Sequence, residues 1–246
     1  MKNRLLIGSI AVFLFSSLGA PVSAWDEGVG LGSDFPSAMW TAIQGFATIV
    51  DADTGWNQHF ASYNPSPTWW QEESSGGSDN SYADYTELSL TLAHSAIYDE
   101  HVVAGFGGQT YALPSTVRLG YASPDSYGYS IWWFLLECEL LNDTDYTSWY
   151  NSMTGIHMIL SFVNTPNIAS TDLTELAYRL TGTGGFNRTT IKDSFSNTFV
   201  DWDGVHNDNI ARIIGENSQV IDNDYLNSFS SQVSVDAGKY VVSCYY

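Results

Sequence analysis

Positive charge is what this chain has least of. Eight lysines and arginines stand against 27 aspartates and glutamates, a formal net charge of −19 at pH 7. A field of that sign repels nucleic acid and anionic membrane surfaces, and both are set aside as partners. Charged residues make up only 14% of the chain, so the acid excess reads as the solvated surface of an exported protein. A saline habitat and divalent-cation binding are the other accounts of it.

Cysteine is also scarce: Cys138 and Cys244 are the whole supply. Two cysteines make no disulfide scaffold, so a hydrophobic core has to hold the fold, although one Cys138–Cys244 bond remains open in an exported chain. Long apolar runs are missing after the start. The longest later one, 131–136, is cut at Glu137, so no later segment is long enough to span a membrane. No two histidines have the four-residue spacing of a zinc-binding helix. Gly105, Gly107 and Gly108 have no lysine after them, which excludes a phosphate loop. No internal repeat is visible.

What is present begins with an export signal at 1–24. Lys2 and Arg4 precede an apolar stretch, and Val22, Ser23 and Ala24 give the small-residue cleavage site. Removing Lys2 and Arg4 takes the charge from −19 to −21. The rest is 25–81, an N-terminal extension packed on the core and partly loop, and 82–246, an α/β domain. A 44% hydrophobic and 15% aromatic content is ample for one large core.

The stretch 129–142 organises the chain. It is an apolar and aromatic run of strand length reaching Cys138, and a run with no polar face reads as a parallel strand buried on both sides. The stretch 87–94 reads likewise and ends in His94, and 155–163 is a third such strand. The clearest helix is 171–180, with Asp172 as its cap, Glu175 three residues on, and Leu173, Leu176, Ala177 and Leu180 on one face. A second helix is expected at 191–199, a short one at 36–43, and closing strands at 210–215 and 233–244. The segment 25–34 is glycine-rich and reads as irregular, and 94–101 as a loop. Strands alternating with helices predict an α/β layered sandwich with a mostly parallel central sheet flanked by helices.

In open α/β sheets chemistry sits at the carboxyl ends of the strands. Cys138 and His94 would meet there if their strands are neighbours, as nucleophile and general base, with the Ser95 backbone amide as an oxyanion donor. Glu137 and Glu139 work against this, because nearby carboxylates raise a thiol pKa. A buried inert thiol and the Cys138–Cys244 bond are the competing readings of the cysteine. His157 reads as a hydrogen-bonded core histidine. His101, His157 and His206 could also be ligands or bases, and His94, Asp99 and His101 could together hold a metal. The pairs Asp51 and Asp53, Asp201 and Asp203, and Asp222 and Asp224 read as turns. Calcium is the one ion such turns could take, and no other cofactor is expected. Trp69 and Trp70, beside Pro67, suggest a surface-binding platform in place of catalysis. Asn142-Asp-Thr144 and Asn187-Arg-Thr189 are glycosylation acceptors, consistent with export.

Several short stretches resemble a secreted family known only as a domain of unknown function (number 6345). They are the histidine-ended strand, Leu119-Gly120, Leu136-Glu-Cys138-Glu-Leu140, Trp149, Gly155-Ile-His157, Leu160-Ser-Phe162 and Ala211-Arg-Ile-Ile-Gly215, spread over most of 82–236. The order of histidine then cysteine is similar to caspase- and gingipain-type cysteine peptidases. That resemblance implies a caspase-like fold, a base at His94, a nucleophile at Cys138, and a protein or peptide substrate handled by a secreted monomer. Those peptidases carry glycine directly after the histidine, where this chain has Ser95, and Glu137 before the cysteine also departs from them.

Overall fold

The computed structural model describes residues 25–53, 55–98, 101–105, 111–120, 128–200, 208–229 and 238–245. The expected export signal at 1–24, Asp99, Gly107, Gly108, Asp201, Asp203 and His206 lie outside the described residues, and the side chain of His101 is likewise not described.

In chain order the elements are β1 (Trp25–Leu31), α1 (Ser37–Asp51), β2 (Trp56–Tyr63), β3 (Leu88–Leu92), β4 (Ser95–Tyr98), β5 (His101–Gly105), β6 (Tyr111–Ala112) and β7 (Trp132–Leu136). They continue with β8 (Met158–Phe162), α2 (Ser170–Thr181), α3 (Ile191–Phe199), β9 (Ala211–Gly215), α4 (Ser218–Asn223) and β10 (Tyr240–Cys244). The large sheet has the order β2-β1-β3-β7-β8-β9-β10, and β4, β5 and β6 form a small antiparallel sheet. Strands β2, β1, β3, β7 and β8 run parallel, β9 runs antiparallel to β8, and β10 antiparallel to β9. The architecture is thus a layered α/β sandwich around a mostly parallel sheet, with β7 at its centre.

Every residue of β3, β7, β8 and β9 is buried, which is what their unbroken apolar runs require. Along β7, Trp132, Phe134 and Leu136 turn to one face, with Val29, Leu90, Leu160 and Ile213 beside them. Phe46 and Val50 of α1, Leu176 and Leu180 of α2, Phe195 of α3 and Ile221 of α4 cover that face. Trp133 and Leu135 turn to the other face, under Trp70, Leu119, Trp149 and Ala104. Short 3-10 turns, loops and the small sheet cover this second face, while all four helices pack on the first.

Several local expectations are corrected. The segment 25–81 does not lie over a finished core; it supplies β1, β2 and α1 to it. Glycines lower strand propensity, but Gly28 lets β1 pack against β2, since a Cβ there would lie 1.9 Å from the Phe60 ring. The short helix at 36–43 is the first half of α1, and 94–101 holds β4 and the first residue of β5. In α2, Asp172 sits inside the first turn and accepts from the N–H of Ala169, the residue that caps the helix.

Gly120 has φ +113°, and a Cβ there would stand 2.2 Å from the backbone nitrogen of Ile156. Backbone cannot yield as a side chain can. Gly120→Ala is therefore expected to cost about 3 kcal/mol or more of unfolding free energy, measured by urea denaturation.

Candidate active site

Strands β3 and β7 pair in register from Leu88 opposite Trp132 to Leu92 opposite Leu136. Two residues further along each strand stand His94 and Cys138. Both therefore lie just past the carboxyl ends of neighbouring strands, at the same edge of the sheet. Past Leu136 the chain turns, the N–H of Glu137 donating to the Leu135 carbonyl at 2.9 Å, and the Glu137 side chain reaches Gly105 of the small sheet. Helix α1 starts six residues after β1 ends, and α2 eight after β8 ends, so both begin at this same edge. Their N-termini present the positive ends of their dipoles there. The first turn of α1 carries no acidic residue to offset that charge.

His94 is exposed, and its ring stacks on Phe35 with centroids 4.5 Å apart and planes 17° apart. Cys138 is half-buried and a free thiol. Burial, and then the neighbouring Glu137 and Glu139, push its pKa above the usual thiol range, while the Thr165 hydroxyl, within hydrogen-bonding reach, opposes that shift. Among the described residues no hydrogen bond joins the imidazole to the thiol. The two share an edge, but the ring rests on Phe35.

Glu137 is 1% exposed. Its Oε2 accepts from the N–H of Gly105 at 3.3 Å, and Oε1 has no partner. Burial pushes its carboxyl well above the usual carboxylate range, against the pull of the Gly105 hydrogen bond. Glu139, next along, is exposed and has φ +54°, a left-handed conformation unusual outside glycine. Its N–H donates to the carbonyl of Asn164, and its carboxylate accepts from Thr165. Ser95 opens β4 opposite Ala104 and is half-buried.

The expected partners of Cys138 sort differently. The Cys138–Cys244 disulfide is not formed, because both thiols are free. Cys244 lies opposite Ala211, which lies opposite Phe162 on β8, and β8 adjoins β7. Three strand spacings, about 14 Å, separate the two chain paths, twice what a disulfide spans. His157 is a core histidine as expected. Its Nδ1 lies 2.5 Å from Oδ2 of Asp224, which also accepts from Trp132 Nε1 at 2.9 Å. Asp222 pairs with Lys192, and Asp53 clamps Arg188 through both oxygens. Among the described residues no group of three or more His, Cys, Asp or Glu side chains is placed to hold a metal ion, and no helix is long and apolar enough to cross a membrane. Trp70 is no surface platform: it is fully buried and stacked on Trp133. Trp69 is half-buried and stacked on Tyr82, with centroids 4.0 Å apart.

Sequence reasoning missed Phe35, Gly105 and Thr165 at this edge. None carries a chemical signature, and each arrives from an element whose pairing or packing partner is remote in sequence.

No known family model matches the chain, and no solved structure matches it. An uncharacterized protein of Archaeoglobus fulgidus is similar to it, 42% identical over 252 aligned positions that cover 99% of this chain and 95% of the relative.

Proposed function

Taking as premise that the chain belongs to one family with that Archaeoglobus fulgidus protein, we propose that it is an exported cysteine hydrolase acting on protein or peptide substrates through His94 and Cys138. The observation that carries the reading is the β3–β7 register, which brings a histidine and a free thiol to the same edge on neighbouring strands. Two helix N-termini at that edge would favour the negative charge that develops during acyl transfer.

In this mechanism the His94 ring leaves Phe35 when substrate enters, takes the proton of Cys138, and frees the sulfur to attack the scissile carbonyl. The carbonyl π electrons move to oxygen. They return as the C–N bond breaks, and His94 gives its proton to the leaving amine. Water, deprotonated by His94, then cleaves the thioester, and the acid product and the thiol are regenerated. Catalytic hydrogen bonds are often open in a substrate-free enzyme, which suits a ring parked on Phe35. The stacking holds it by about 1 kcal/mol.

The test is hydrolysis of an unfolded protein substrate under reducing conditions, read by mass spectrometry of the products. Cleavage that disappears in Cys138→Ala and persists in Cys244→Ser is expected. Cleavage that survives Cys138→Ala would contradict the assignment.

A further inference from the structure

Glu137 looks at first like a liability beside a nucleophile, and the geometry gives it another part. It is the first residue past β7, and its side chain reaches the small sheet. There its Oε2 meets the N–H of Gly105, the last residue of β5. Gly105 in turn lies against the backbone of His94: a Cβ on it would stand 2.3 Å from the His94 carbonyl oxygen. The Ser161 hydroxyl of β8 donates to the Glu137 carbonyl at 3.4 Å and holds the same residue from the other side. One short chain of contacts therefore runs from the residue before Cys138, through Gly105, to the backbone of His94.

We infer that Glu137 is a positioning residue, a hydrogen-bonded bridge that fixes the end of the strand carrying Cys138 against the backbone of His94. This rests on the reading of His94 and Cys138 as a working pair. Its titratable neighbours are Cys138 and Glu139 on its own segment and His94 at the end of β3. From β5 it meets a backbone amide, and from β8 a hydroxyl. Among the described residues no charged group contributes to the shift of its carboxyl, which is set by burial against the Gly105 hydrogen bond. The carboxyl oxygen gives the bridge its acceptor. Glutamine would serve in the same way, and leucine would fill the space without the acceptor.

The experiment is the rate of Cys138 alkylation by iodoacetamide from pH 5 to 8, with Cys244→Ser in every chain, together with amide exchange at Gly105. Glu137→Leu is expected to slow alkylation at least tenfold and to speed Gly105 exchange at least tenfold. Glu137→Gln is expected to restore both, with a pH profile that superimposes on that of Glu137. A Glu137→Gln chain that behaves like Glu137→Leu in both readings would overturn the bridge. So would a Glu137→Leu chain that matches Glu137 in both readings. If Glu137→Leu does not fold, the Gly105 exchange rate and the Glu137→Gln profile decide alone. Failure of the pair itself reads differently: His94→Ala would leave Cys138 alkylation unchanged, while Gly105 exchange would still respond to Glu137.

Discussion

His94→Ala is expected to slow the alkylation of Cys138 at least tenfold at pH 7 and to leave Cys244 unchanged. An unassisted thiol with a pKa above the usual range is less than about 1% thiolate at that pH, and only the thiolate reacts. Burial, Glu137 and Glu139 hold Cys138 in that state. The β3–β7 register brings the imidazole to the same edge. Exposed and stacked on Phe35, it can turn and take the proton, which raises the reactive fraction. Cys244 provides the internal control. It is also pushed up by burial, but it lies three strand spacings from Cys138 along the sheet. In hydrolysis the same substitution removes a general base, a loss of about 100-fold or more.

Glu27→Gln is expected to stabilise the fold by about 3 kcal/mol at pH 7 and by almost nothing at pH 4. Glu27 is fully buried on β1, on the helix side with Val29 and Leu31, and neither carboxyl oxygen has a partner. Burial, then repulsion from Asp51 and Asp26, pushes its pKa from 4.5 to about 9. The folded chain therefore keeps a proton that the unfolded chain releases above pH 4.5. The contribution is fully favourable below 4.5 and is lost steadily as pH rises to about 9. Glutamine has the same shape and the same unpaired polarity but nothing to release. The difference in melting temperature between Glu27→Gln and the unsubstituted chain should grow from near zero at pH 4 to about 6–12 °C at pH 7, followed by calorimetry. Glu87, pushed up to about 7 chiefly by burial, adds a loss of the same sign between pH 4.5 and 7. A gap that stays constant with pH would show that Glu27 is charged in the folded chain.

The parts of the fold readable beforehand were those where one segment carries its whole reason. Strand β7 is apolar on both faces because it is buried on both faces. Helix α2 shows its Leu173, Leu176, Ala177 and Leu180 stripe regardless of neighbours. Strand β1 is the opposite case. Gly28 and Gly30 look irregular until Phe60 and Pro65 are seen against them, and nothing local announces those contacts. The site divides in the same way. His94 and Cys138 were visible as residue types at the ends of apolar runs. Whether their strands adjoined was a question of topology, which the register answers. The burial of Glu137 was hidden, because a glutamate in a sequence is read as an exposed charge. Cys244 was a plausible partner by count alone, and strand order removes it.

The most direct measurement of the central claim is the mass of the purified, reduced chain after reaction with peptidyl acyloxymethyl ketones of varied sequence. The account predicts one adduct per chain, a thioether on Cys138, that fails to form in His94→Ala. No adduct on Cys138, or an adduct formed equally fast without His94, would contradict it.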